Sequence, residues 1–379
     1  MKSKRNLRKI CFYFFITASL CFSVIIIQTS FKFGDNSENK IIEEELDIHN
    51  LKTSYNWYLH VIVIDGDGAT DWNWAKGQGW CTGSGNYSDP YYINNTDFNG
   101  DMVGSALTIQ DTSAYFIIEN CYFHMSGDDV IDSDSGLKLW NANNGTLINN
   151  RFMYNDGWGI FMYICNNFTL EENTIKYNDW SGLRMWYNWN IKVSKNTIGR
   201  NVFSGIIVDD AINNTYIENT ITYNEQDGMN IDNFNDSRIT GNTIEDNEFH
   251  GINIDDCFNN TISGNIIDSK YDGIQMWGCN ENNITDNTIN YIEIGIDMIR
   301  SNYSRVISNT IIGKATCIRE LYCTGNYFAN NKCEEPDDKK DEDKKEPAIP
   351  MGYWFFPFMA ITAISLIIIT KRKIIKNSE

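Results

Sequence analysis

Basic residues are in short supply: 31 Lys and Arg stand against 50 Asp and Glu, giving a formal net charge of −19 over 379 residues. Nucleic acid needs a basic footprint for its phosphates, so that class of partner is excluded. The acidic balance suits a surface facing cations, neutral glycans or basic partners. Apolar runs of period 3.6 are missing from the long middle of the chain, which excludes helical repeats.

What fills the middle is a repeat. An asparagine followed two residues later by an apolar side chain recurs at Asn150, Asn173, Asn196, Asn219, Asn242, Asn265, Asn287 and Asn309, in steps of 23 and then 22. A glycine keeps the same beat at Gly136, Gly159, Gly182, Gly205, Gly228, Gly251, Gly273 and Gly295. Two ladders with one period mean a solenoid. Apolar residues alternate after each glycine, as in Leu183/Met185, Ile206/Val208, Met229/Ile231 and Ile252/Ile254, and period two means strands. Each coil is therefore a set of short strands joined by turns, and stacking buries the face that one coil cannot bury alone. Rungs about 4.8 Å apart put equivalent residues in rows. The asparagine row is expected to be structural, pointing inward and bonding turn backbone.

The two ends carry membrane signals. Lys2, Lys4, Arg5, Arg8 and Lys9 precede an apolar run from Ile10 to Ile27, so residues 1–30 are expected to be a signal peptide or a signal anchor. Pro350 to Thr370 is long and apolar enough to span a bilayer, and Lys371, Arg372, Lys373 and Lys376 place the tail, 371–379, in the cytoplasm. Residues 334–349 read as a charged stalk, 61–333 as the solenoid and 31–60 as a stem or cap. Trp72, Trp74 and Trp80 are dense for a loop, and would cap the first coil or join a binding surface. The expectation is an all-β, single-stranded parallel β-helix of 22–23-residue coils plus one C-terminal transmembrane helix, held at the cell surface.

The coil pattern N-T-I-x-x-N-x-x-x-G-I-x-I resembles the right-handed β-helix repeats of the NosD type, a resemblance that covers residues 61–333. GSGNYSDPYYINN, SAYFIIENCYF and NNGTLINNRF resemble the first coils of such proteins. The resemblance implies a fold shared by sugar-binding and sugar-hydrolysing modules, and β-helices host many activities. The copper-delivery role attached to the NosD name finds little support. There are four histidines, His49, His60, His124 and His250, and the methionines mostly point inward. Ser126–Asp129 and Phe249–Gly251 resemble polygalacturonase motifs but lie far apart, with no Arg-x-Lys clamp after them.

Eight cysteines lie beyond the signal segment, an even number that invites disulfides in an oxidising compartment. Cys257 and Cys279 share a coil position one rung apart, Cys323 with Cys333 would close the C-terminal end, and Cys81 with Cys121 the other. Sequons stand at Asn86, Asn94, Asn144, Asn167, Asn213, Asn235, Asn259, Asn283 and Asn302, several in one turn of successive coils, which suggests a glycosylated edge.

The fourth position after each glycine faces outward and reads Trp140, Tyr163, Trp186, Asp209, Asp232, Asp255, Trp277, Ile299. Carboxylates one rung apart repel by about 1 kcal/mol per pair in water, so the stack of Asp209, Asp232 and Asp255 wants a cation or a raised pKa. Calcium is the candidate ion; no cofactor is required. A second stack, Asp227, His250 and Asp272, lies one residue before the glycines, with Asn230, Asn253 and Gln275 between the stacks and Asp210 and Asp256 beside them. Flanked by Trp186 and Trp277, this face is expected to bind glycans or envelope proteins without catalysis. The alternative is a polysaccharide hydrolase, lyase or epimerase using Asp232, Asp255 and His250, since carboxylates one or two rungs apart bracket glycosidase spacings. A plain solvated face and a pure spacer remain open. Arg184 is the one outward base near the acidic stack, expected one coil away from it.

Overall fold

A computed structural model describes residues 55–127 and 133–336. Each coil contributes three short strands, and like strands of successive coils pair in parallel. In one coil these are Ile206–Ile212, Thr215–Ile217 and Thr220–Thr222. The third strands form a 12-stranded sheet, and the other two faces form a 22-stranded sheet that bends around a corner. On the first face register follows the sequence period without slippage: Ile206 faces Met229, which faces Ile252, which faces Ile274. Inward residues of all three faces are fully buried, among them Ile206, Val208, Tyr216 and Ile221 in a single coil.

The two ladders interlock. A Cβ on Gly205 would lie 2.5 Å from Ile221 Cγ2 and 2.8 Å from the carbonyl oxygen of Gly228 on the next rung. Glycine is required here by close approach, because its backbone is not in the left-handed region. The same contact joins Gly182 to Ile198 and Gly159 to Ile175, sixteen residues on each time.

The asparagine ladder is structural, as expected. Asn219 Oδ1 accepts from the backbone N–H and the Nδ2 of Asn196 at 2.9 and 3.0 Å, while its own Nδ2 donates to the Val193 backbone carbonyl and to Asn242 Oδ1 at 2.9 Å each. Along this ladder each side-chain amide thus finds its partners without water. A second ladder, Asn155, Asn178, Asn201, Asn224 and Asn247, does the same at another corner with side-chain bonds of 2.9 Å. Asn188, Asn214, Ser237, Asn260 and Asn282 serve the third.

At the N-terminal end a short helix, Trp72–Gly77, starts on Asp71, whose side chain accepts from the Trp74 amide at 2.8 Å. It lays Trp72 flat on Tyr91, ring centroids 4.6 Å apart, and Trp72 Nε1 donates to Thr112 Oγ1. Trp80 packs edge-on against Phe98. Trp72 and Trp80 are buried, so these tryptophans cap the solenoid.

The disulfide expectations are corrected. The bridge is Cys317–Cys333, with Cα atoms 5.8 Å apart, not Cys323–Cys333. Cys323 points inward, its thiol donating to the Met298 carbonyl at 3.2 Å. Cys317 stands one rung beyond Gly295 and Cys333 one rung beyond Ile311, so the bridge takes the place of the glycine–isoleucine contact on the last rung. Cys257 and Cys279 are free and buried, each thiol bonded to a backbone carbonyl, Asp255 and Ile254 respectively. Cys81 and Cys121 are likewise free.

Among the described residues no helix is long and apolar enough to cross a membrane. The signal segment, most of the stem and stalk, the 350–370 span and the basic tail lie outside the described residues.

Candidate functional site

The outward stripe forms as the glycine beat requires. Trp140, Tyr163, Trp186, Asp209, Asp232, Asp255, Trp277 and Ile299 are successive register partners across the first face. It extends N-terminally through Gln110 to Asp65. Trp140, Trp186 and Trp277 are each exposed by 38–46%. Asp232 is exposed, and Asp209 and Asp255 are half-buried.

Arg184 does not stand apart. It reaches across one rung to form an ion pair with Asp209, and its guanidinium lies 5.8 Å from the Trp186 ring centroid. Its long side chain spans the spacing that separates the backbones. The acidic row is therefore neutralised at one end and open at Asp232 and Asp255. Burial and then the Asp209 and Asp256 carboxylates raise Asp232 above the ordinary aspartate value. Burial and then Asp232 and Asp256 do the same to Asp255. Asp256 is exposed beside them. At the far end Arg300 lies 5.7 Å from the Trp277 ring.

The second row is more occupied with itself. Asp227 accepts from Asn230 Nδ2 at 2.9 Å and from the His250 backbone N–H at 3.0 Å. His250 Nδ1 receives the Asp272 amide at 3.3 Å and lies 3.6 Å from Asp272 Oδ2. Gln275 Nε2 donates to Asp272 Oδ2 at 3.3 Å. Burial raises both Asp227 and Asp272, with His250 opposing it. Asp272 Oδ1 and Asn253 Oδ1 are buried without a hydrogen-bond partner. The expected catalytic set is thus divided: Asp232 and Asp255 face outward together, whereas His250 is held between Asp227 and Asp272.

No group of three or more His, Cys, Asp or Glu is arranged to hold a metal among the described residues. Arg184 takes Asp209 out of the expected calcium triad. The sequons divide as well. Asn144, Asn167, Asn213 and Asn259 occupy one left-handed turn position of their coils, with φ from 54° to 61°, and Asn190 and Asp236 hold it on the rungs between. Asn86, Asn167, Asn213 and Asn259 are exposed, while Asn94, Asn144, Asn235, Asn283 and Asn302 are half-buried.

The family model described as the right-handed β-helix region matches residues 48–221 and 136–277, and the chain belongs to that family. The model for the periplasmic copper-binding protein NosD matches residues 224–343, so the chain is NosD-like over that stretch. Similar solved structures include the A-module of a mannuronan C-5 epimerase from Azotobacter vinelandii, with 14% identity, TM-score 0.48, and 75% of this chain and 88% of that one covered. A periplasmic alginate epimerase gives 13% identity, TM-score 0.48, and 74% and 84% coverage. The Dettilon tailspike protein gives 14%, 0.46, and 65% and 56%. No curated protein matches the chain.

Copper does not fit the described residues. His60 pairs with Asp101 at 2.9 Å and His124 with Asp97 at 2.7 Å, both far along the chain from His250. Met162, Met185, Met229, Met276 and Met298 are fully buried in the core. Burial pushes the Cys81, Cys121 and Cys165 thiols up to about 12, away from the thiolate a soft metal needs.

Proposed function

We propose that this is a surface protein in which a rigid β-helix binds glycans along its first face without cleaving them. The observation that carries the reading is the continuous outward row of Trp140, Tyr163, Trp186, Asp209, Asp232, Asp255 and Trp277, in which exposed rings border open carboxylates. The apolar C–H face of a pyranose stacks on such rings, and carboxylates accept its hydroxyl protons. Asn230, Asn253 and Gln275 supply amides on the same face. Asp227 positions Asn230, and Asp272 positions Gln275. Envelope proteins are the other partner class. No cofactor is required.

The apolar segment 350–370 with its basic tail anchors the protein in a membrane, the charged stalk carries the solenoid outside, and glycans on Asn86, Asn167, Asn213 and Asn259 decorate exposed positions. One observation favours the enzymatic alternative: Asp232 and Asp255 face outward on adjacent rungs, and both are raised, the direction a general acid requires.

The ectodomain, residues 31–336, tested on neutral and acidic polysaccharides with and without calcium, separates these readings. Retention without product release supports binding. Product release that disappears in both Asp232→Asn and Asp255→Asn establishes the enzyme and overturns the leading reading.

A further inference from the structure

Past the acidic row the chain turns a corner in a way that raises two parallel ridges. Tyr187, Asp210 and Asn233 hold left-handed backbone, with φ of 55°, 51° and 48°. The next residues, Asn188, Ala211 and Phe234, point inward and are buried. The residues after those, Trp189, Ile212 and Asn235, emerge again and stack in register. Between the ridges runs a groove of about 310 Å³, along the solenoid axis, lined by Tyr187, Trp189, Asp210, Ile212, Asn233 and Asn235 over a floor at Asn188. That volume reaches the range of small-ligand sites.

The groove is built rather than incidental. Tyr187 stacks on Trp186, with centroids 5.4 Å apart and planes 18° apart, and meets Tyr163 edge-on at 6.0 Å. Asn233 Nδ2 donates to Asp210, and Asn235 Nδ2 donates to Asn233 Oδ1 at 3.2 Å. Trp189 and Ile212 nevertheless remain 38% and 52% exposed. Rings and an aliphatic side chain offer an apolar wall, amides and one carboxylate offer hydrogen bonds, and the lining contains no basic side chain. A uronate or sulfated chain would meet Asp210 uncompensated, whereas a neutral sugar satisfies both surfaces.

We infer that this corner groove is a subsite for a neutral glycan chain running along the solenoid axis, with a pyranose stacked on Trp189. The inference rests on the glycan-binding reading and places the contact one ridge beyond the acidic row. The test is calorimetric titration of the ectodomain, with Asn235 unmodified by mass, using the hexasaccharides of β-1,4-glucose, β-1,4-N-acetylglucosamine and α-1,4-galacturonate. Binding to at least one neutral probe is expected, weakened tenfold or more by Trp189→Ala and by Ile212→Glu, with urea midpoints unchanged. Galacturonate is expected to bind at least tenfold more weakly. Binding lost in Trp277→Ala and Asp232→Asn but kept in both groove variants overturns the groove and spares the glycan-binding reading. No binding to any probe overturns both, and a preference for galacturonate overturns the neutral-glycan assignment.

Discussion

Replacing Arg184 by methionine keeps an apolar stem over Trp186 and removes the charge paired with Asp209. The two side chains are 16% and 25% exposed. That places the pair between exposed ion pairs, worth up to about 1 kcal/mol, and buried ones, where losing a partner costs roughly 3–5 kcal/mol. We expect Arg184→Met to cost about 2 kcal/mol at pH 7, part of it from Asp209 now repelling Asp232 on the next rung. Asp209→Asn in the Arg184→Met background should recover most of the loss at neutral pH. Urea unfolding followed by circular dichroism at pH 7 measures both. An Arg184→Met protein as stable as the parent at pH 7, or a loss that Asp209→Asn does not repair, would refute the electrostatic account of this face.

Asp255 runs in the opposite sense. Its folded value is raised, so its contribution to stability is present below the ordinary aspartate value and lost as pH rises through the folded one. Asp255→Asn should therefore raise the urea midpoint at pH 7, and the gain should vanish in acid. Asn219→Leu is nearly isosteric but strands the Asn196 amide and the Val193 carbonyl, and should cost about 3 kcal/mol in urea unfolding. Gly205→Ala forces a methyl against Ile221 and the Gly228 carbonyl, and should cost about 1–3 kcal/mol in the same assay. Cys333→Ser opens a bridge spanning 16 residues and should cost about 3 kcal/mol, with first protection loss by hydrogen exchange in the C-terminal rungs.

The solenoid was legible because both ladders report one geometry. Glycine recurs where an isoleucine sixteen residues later fills the space of a Cβ, and asparagine recurs where a corner needs its amides paired. The second asparagine ladder, from Asn155 to Asn247, carries the same period and was equally open to reading. So was the disulfide: Cys317 and Cys333 continue the glycine and isoleucine rows by one rung, sixteen residues apart. The expectation of Cys323 came from proximity to the end rather than from those rows.

The face was legible in outline, since a row of outward residues follows once the register is fixed. What the period does not encode is reach. Arg184 crosses a rung to Asp209, and His250 is drawn between Asp227 and Asp272, through side-chain and backbone bonds with no counterpart in spacing. The corner groove was hidden for a different reason. Its ridges depend on left-handed turns at Tyr187, Asp210 and Asn233, where the chain uses no glycine to mark the conformation.

The central claim, that the first face of this helix holds a glycan, is tested most directly by affinity electrophoresis of the ectodomain in gels carrying a retained polysaccharide. Trp186→Ala and Trp277→Ala should each reduce retardation by a factor of several, and together abolish it, while Tyr154→Ala on a different face leaves it intact. Full retardation in the double variant would contradict the account, and would return this face to the role of a solvated wall.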